Sequence, residues 1–262
     1  MGKLPVWSTA LNSVRSALAF ARDRPMLCAA LWVLQFATDE LSAMTGPSED
    51  PPSFDWNSGF DLARAVLASP IFLALYRHVL IDDRAATYDV ASPRGRKFIA
   101  ANVIFEICVM TIPGGVFAAL YGYRGVEAAT TPTWVVAGMV VDVLLMLAAG
   151  YWAIRASLLF PLIAIDRPSP ISRSLVLTRG RVWRISCIAG LPAVAAGGVE
   201  LLVTGVQALP GVDRVPQYLV DFLVSGVMAF MAISVAGGVA LIYLWTRDVT
   251  RAPSPDAIPT RS

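Results

Sequence analysis

Six apolar runs follow one another along the chain, separated by short polar segments. They lie at about 25–45, 58–81, 97–120, 133–163, 181–207 and 217–245. A helix needs ~20 apolar residues to cross a ~30 Å hydrocarbon core. The pattern therefore predicts an all-α integral membrane bundle of six transmembrane helices, forming a single domain over residues 1–246. The fourth run, from Thr133 to Asp166, would make a helix roughly 50 Å long. Such a helix must tilt, break at Pro161, or project from the membrane; projection is the expected outcome. Ahead of the first run, Trp7, Leu11, Val14 and Leu18 recur at helical spacing, with Ser8, Asn12, Arg15 and Arg22 on another side. This predicts an N-terminal amphipathic helix over 6–22. Two placements suit it: the headgroup plane, or the cytoplasmic end of the bundle. Residues 247–262 are polar and Pro-rich and predict a disordered tail.

Composition agrees with the runs. Of the 262 residues, 56% are hydrophobic and 15% charged, whereas soluble domains carry ~25% charged residues. A net charge of +2 gives no reason to expect a nucleic-acid partner. Cys28, Cys108 and Cys187 all fall in apolar runs without ligand spacing, so they predict helix packing, with no disulfide and no metal. The N-terminus does not read as a signal peptide, because the first apolar run begins at about Met26, after three arginines.

The placement of charge is more informative than its sum. Lys3, Arg15, Arg22 and Arg24 precede the first span; Arg84, Arg94, Arg96 and Lys97 sit between the second and third. Arg167, Arg173, Arg179, Arg181 and Arg184 lie between the fourth and fifth, and Arg247, Arg251 and Arg261 follow the sixth. The opposite loops hold only Arg124 and Arg214. By the positive-inside rule, both termini and both basic elbows are cytoplasmic.

The two elbows resemble each other. Ile81-Asp82 and Ile165-Asp166 are 84 positions apart, Arg94-Gly95-Arg96 and Arg179-Gly180-Arg181 are 85 apart, and Gly114-Gly115 and Gly197-Gly198 are 83 apart. These correspondences suggest a duplicated helix–elbow–helix hairpin, although such short matches also arise by chance. Arg94, Arg96, Lys97, Arg173, Arg179, Arg181, Trp183 and Arg184 are candidates to meet lipid headgroups, since guanidinium pairs with phosphate and indole sits at the interface. The plainer role for the same residues is to set orientation.

Ionisable residues at membrane depth usually face the bundle interior or a wet cavity. Five are candidates here: Arg64, Glu106, Asp142, Arg155 and Glu200. Depth estimates from helical rise predict two interhelical pairs, Glu106–Arg155 and Arg64–Asp142. Such pairs either hold helices together or line a substrate path. His78, the single histidine, is expected to be an interface residue. Pro113-Gly114-Gly115 and Pro192 with Gly197-Gly198 interrupt the third and fifth spans, which suits close packing or a transporter's broken helices. There is no Walker loop, no HExxH, no GxSxG constellation and no cofactor motif, so no catalytic residue is assigned.

One stretch carries a family likeness. Arg155, Leu159-Phe160-Pro161, Ile165-Asp166, Ser172-Arg173-Ser174, Leu177-Thr178-Arg179-Gly180 and Trp183-Arg184 follow one another within thirty positions. This pattern resembles the membrane domain fused to bacterial glycerophosphodiester phosphodiesterases, and its stand-alone relatives of uncharacterised function. The resemblance implies a six-helix bundle with a short amphipathic cytoplasmic elbow, in a bacterial inner membrane. It implies no phosphodiesterase activity, because the catalytic barrel has no counterpart in this sequence. The expected function is a non-enzymatic membrane module whose partners are lipids, another protein or a second copy. The alternative is a small transporter or permease component, with Glu106, Asp142 and Arg155 along its path.

Overall fold

The computed structural model describes residues 5–45, 56–83, 90–108, 132–207 and 216–251. Among these residues every regular element is a helix: α1 (Val6–Asp23), α2 (Pro25–Thr45), α3 (Trp56–Ile81), α4 (Pro93–Glu106), α5 (Pro132–Ala156), α6 (Leu159–Ala164), α7 (Pro170–Thr178), α8 (Val182–Gln207) and α9 (Gln217–Arg251). Four stretches are long and apolar enough to cross a membrane: Gly59–Ile81, Val143–Ala164, Val182–Val203 and Gln217–Asp248. α2 is helical over the first predicted span but carries Asp39 and Glu40 near its end. The third predicted span is described only as far as residue 108, so its outer half and the Pro113-Gly114-Gly115 break lie outside the described residues.

α9 is the central post. It packs on α1, α2, α3 and α8, while α3 packs on α2 and α4 and α5 packs on α7 and α8. Large apolar side chains cover outer surfaces as well as the core: Leu147 is 64% exposed, Val194 74% and Leu201 75%. Water does not tolerate contiguous apolar faces of this kind, whereas hydrocarbon does. The architecture is compatible with a membrane protein.

The fourth run does not project as one rod. α5 stops at Ala156, a turn occupies Ser157 and Leu158, and α6 restarts at Leu159. The cause is Pro161, which has no N–H and whose ring crowds the carbonyl four residues back, at Ser157. Beyond the break the chain turns inward: Phe160, Pro161, Leu162, Ile163 and Ala164 are all buried. The single long helix expected here is therefore replaced by a break and a short buried helix of under two turns.

α1 lies on the bundle through its small residues. Thr9, Ala10, Ser13, Ala17 and Phe20 are buried. A methyl group on Gly238 of α9 would sit 3.3 Å from the Ser13 Cβ, and one on Gly237 would sit 3.4 Å from the Ser13 carbonyl. Small residues on both helices permit this approach. Trp7, Leu11 and Leu18 instead point outward. The opposite terminus also extends further than expected, since α9 remains helical to Arg251, past the boundary placed at 246; residues 252–262 lie outside the described set.

Candidate functional site

The two elbows meet at one end of the bundle. Each leaves its helix through an aspartate in the left-handed region, Asp82 at φ 50° and Asp166 at φ 55°. Aspartate tolerates this conformation better than most residues because its short side chain can bond locally. The rings beneath the turns are also matched in position. Tyr76 and Phe160, again 84 positions apart, stack with their planes 8° from parallel and centroids 6.4 Å apart. Phe98 and Phe105 of α4 close on Phe160 at 5.5 and 5.3 Å.

Two arginines fasten the first elbow to the second. Arg77 Nε donates to Asp83 Oδ2 at 2.9 Å, and its Nη1 donates to the Ala164 carbonyl at 3.2 Å. Arg94 Nε donates to Asp166 Oδ2 at 2.7 Å, and its Nη2 bonds the same oxygen. That contact, with the charges of Arg77 and Lys97 behind it, holds the Asp166 carboxyl below the usual carboxylate range despite some opposing desolvation. α4 begins one turn earlier than its apolar run, because Ser92 accepts the Gly95 N–H at 2.9 Å and Pro93 occupies the first turn.

The second elbow is pinned by Arg155. Its carbonyl accepts the Ser174 hydroxyl at 2.7 Å, and its Nη2 donates to the Leu175 carbonyl at 2.7 Å. Thr178 Oγ1 donates to the Ser174 carbonyl at 2.9 Å and lies 3.4 Å from the Arg155 carbonyl. Arg155 Nη1 reaches the Tyr151 hydroxyl at 3.1 Å. No ion pair joins Arg155 to Glu106 among the described residues. The guanidinium gives Nη2 to the elbow backbone and Nη1 to Tyr151 instead, while its buried Nε has no partner among the described residues.

The charged groups that act on Glu106 are Arg64 and Asp61 of α3. Arg64 Nη2 bonds Asp61 Oδ1 at 2.8 Å, and its Nη1 lies 4.0 Å from Asp39 Oδ1 of α2. Asp39 also accepts from Gln35 at 3.0 Å and from Ser225 of α9 at 3.0 Å. This cluster draws side chains from four helices. The expected Arg64–Asp142 pair and the Glu200 candidate involve side chains outside the described set.

Asn102 was not singled out by the sequence reading. Its amide donates to the Ala65 carbonyl at 2.8 Å and to Ser69 Oγ at 3.1 Å. Both acceptors lie in the turn just before Pro70, and they also bond each other, since Ser69 Oγ donates to the Ala65 carbonyl at 2.6 Å. A proline following a Ser in an apolar run, facing a lone amide on the next helix, is the signal that was available.

The headgroup candidates divide. Arg94 is committed to Asp166, and Arg181 donates to the Leu177 carbonyl at 3.2 Å while its guanidinium covers the Trp245 ring at 5.1 Å. Arg96, Lys97, Arg173 and Arg179 are exposed, Arg184 is half-buried, and none of the five side chains makes a hydrogen bond or salt bridge among the described residues. Trp183 is 78% exposed. The two Arg-Gly-Arg triplets differ in structure: Gly180 has φ +71° between α7 and α8, whereas Gly95 is buried in the first turn of α4. Likewise Pro192 and Gly197-Gly198 leave α8 unbroken, and a Cβ on either glycine would meet nothing within 4 Å. The close glycine contacts are on α9 instead. His78 packs edge-on to Phe20 of α1 at 5.6 Å with Nε2 3.9 Å from Asp23. The three cysteines are free thiols.

Two cavities open between the helices. One, of about 380 Å³, is walled by Tyr76, Phe98, Phe105 and Phe160 with α8 and α9 behind them. The other, of about 440 Å³, runs along α4 past Ala101, Ile104 and Cys108 to Trp152, with Lys97 at its end. Both are lined mainly by apolar side chains, and neither wall includes Glu106, Arg64 or Arg155. Among the described residues no group of three His, Cys, Asp or Glu side chains is placed to hold a metal ion. No protein-family model, curated protein or solved structure matches the chain.

Proposed function

We propose that the protein is a six-span, non-enzymatic module of a bacterial inner membrane, with both termini and both elbows cytoplasmic, that works by binding lipids. The observation that carries this reading is the elbow end. Arg96, Lys97, Arg173 and Arg179 stand exposed without protein partners among the described residues, beside an outward-facing Trp183. Arginine and lysine at this level attract anionic headgroups, and indole marks the interface. The apolar character of both interhelical cavities supports the same reading, since acyl chains fill such space and ions do not. The likeness to the membrane domain of glycerophosphodiester phosphodiesterases is part of this proposal. The test is purification in native lipid nanodiscs with mass spectrometry of what co-purifies. Enrichment of anionic lipid over the bulk membrane is expected; bulk composition would sink the reading. Sidedness is checked by single cysteines placed at Ser254 and Ser48 and labelled with an impermeant maleimide on intact spheroplasts, where only the second is expected to react.

A second reading has its own observation. Asp39, Asp61, Arg64 and Glu106 gather polar atoms from three helices, with Ser225 from a fourth, within otherwise apolar sequence. Such a cluster suits an ion or substrate path. Loss of uptake by proteoliposomes on replacing Asp39 with Asn, without loss of protein, would favour it.

A further inference from the structure

A third cavity lies on the elbow side, between the second elbow and the last helix. Its volume is about 430 Å³, within the range of small-ligand sites. Three arginines enter its wall from three separate places: Arg167 just after the left-handed Asp166, Arg173 on α7, and Arg247 at the end of α9. Ser172 and Tyr243 add two hydroxyls. No carboxylate lines it among the described residues. Arg247 Nε donates to Asp248 at 3.2 Å, but the side chains of Arg167 and Arg173 have no hydrogen-bonded or ionic partner among the described residues, and the same holds for the hydroxyls of Ser172 and Tyr243.

The fold keeps these groups together. Arg167 is fixed through its backbone, where its N–H donates to the Leu162 carbonyl at 2.9 Å. α7 is held in place by the Ser174, Leu175 and Thr178 contacts to Arg155, which leave the face bearing Ser172 and Arg173 turned to the cavity. Tyr243 is almost fully buried and forms the floor with Leu162 and Leu177. Arg247 has Asp248 beside it, whereas Arg167 and Arg173 bring positive charge to a wall that holds no carboxylate among the described residues, and such a wall attracts an anion. Planar forks of N–H donors match a phosphoryl group in charge and geometry, and hydroxyl donors complete such a shell. The apolar floor suits a ligand whose phosphoryl end is joined to an organic part.

We infer that the Arg167–Arg173–Arg247 cavity binds a phosphoryl group, presented by an anionic lipid headgroup or by a soluble phosphorylated compound. The inference deepens the lipid-binding reading by naming a site for it.

The full-length protein is reconstituted in nanodiscs of phosphatidylcholine alone, or with phosphatidylglycerol added. Native mass spectrometry reads retained lipid, and thermal unfolding in the phosphatidylcholine discs reads added inorganic pyrophosphate. The R167Q/R173Q variant is compared with R15Q/R22Q, which removes the same charge from exposed positions on α1. A lipid headgroup as ligand predicts selective retention of phosphatidylglycerol, weakened on the order of tenfold or more in R167Q/R173Q and unchanged in R15Q/R22Q. A soluble ligand predicts stabilisation by pyrophosphate, lost in the same variant only; the site then stands and the lipid reading falls. Phosphatidylglycerol retained equally by wild type and R167Q/R173Q overturns the site and leaves the lipid reading standing. Equal loss in both variants overturns the site as well, since net charge alone then explains binding. No selectivity and no pyrophosphate effect in the wild type overturns both.

Discussion

Arg155 and Ser174 join the last turn of α5 to the middle of α7: the Ser174 hydroxyl donates to the Arg155 carbonyl at 2.7 Å, while the Arg155 side chain reaches the next carbonyl along. One residue thus acts as acceptor through its backbone and donor through its side chain, on a single short helix. Hydrogen bonds involving a charged group are worth about 1.5–3 kcal/mol. Arg155→Ala is expected to free α7, so limited proteolysis should cut between 165 and 181 faster than in wild type while the remaining helices stay protected. Arg155→Lys keeps the charge but cannot reproduce the fork. It should rescue only part of the protection.

Trp32 of α2 packs directly against Gly226 of α9. A Cβ on Gly226 would lie 2.6 Å from the indole Cε2, and the indole cannot retreat easily because its N–H donates to the Phe222 carbonyl at 2.6 Å and its ring stacks on Phe222. Gly226→Ala should destabilise by about 1–3 kcal/mol, as overpacking does. Adding Trp32→Leu should recover part of that loss. Thermal unfolding of the two single variants and the double variant in one detergent checks this, and strict additivity would count against direct contact.

The Arg94–Asp166 contact makes a pH prediction. The Asp166 carboxyl titrates below its ordinary value in the folded chain because Arg94 bonds its charged form. A depressed folded-state value means that the stabilisation is present above the unfolded-state value, near pH 4, and is lost as pH falls through the lower folded one. Asp166 is more than half exposed, so screening limits the contribution to about 1 kcal/mol or less. Wild type should lose this increment as pH falls below about 4, whereas Asp166→Asn should show no such component in acid titrations of unfolding.

The left-handed aspartates predict a substitution pattern of their own. Asp82→Gly and Asp166→Gly should fold, since glycine takes φ near +50° without strain. A β-branched residue at either position should cost about 1–2 kcal/mol. Paired melts of the Gly and Val variants at each site measure the difference.

How much of this was legible beforehand differs by feature. Helices α3, α8 and α9 follow the apolar runs closely and are long and apolar enough to cross a membrane, because length and hydropathy alone decide where a helix is stable in hydrocarbon; for α2 only the helix follows its run. The Glu106–Arg155 pair failed for a geometric reason. Counting residues from a helix end estimates depth but not the direction a side chain points, and the break before Pro161 redirected Arg155 towards the elbow. The glycine argument also went to the wrong pair. Gly197-Gly198 and Gly237-Gly238 look alike in sequence, and only the presence of α1 beside α9 distinguishes them. The duplicated elbow was read from three correspondences. The Ile-Asp match has a shared backbone conformation behind it, the Arg-Gly-Arg match does not, and Gly114-Gly115 lies outside the described residues. The three-arginine cavity was scattered through the positive charge count, since Arg167 and Arg173 belong to the second elbow and Arg247 to the segment after the sixth run, and only the fold places them on one wall.

The contact of Ser13 with Gly238 sets an order of events during synthesis. The two residues are 225 positions apart, and ribosomes add about 5–20 residues per second. The first helix made therefore waits on the order of ten to forty seconds for the last one. Throughout that interval Ser13 lacks its partner on α9, the helix on which α1 packs most extensively, while Trp7, Leu11 and Leu18 are free to hold it at the bilayer surface. α1 is a latch that shuts only on a finished chain, so a product truncated before α9 should carry an N-terminal segment open to chaperones and proteases.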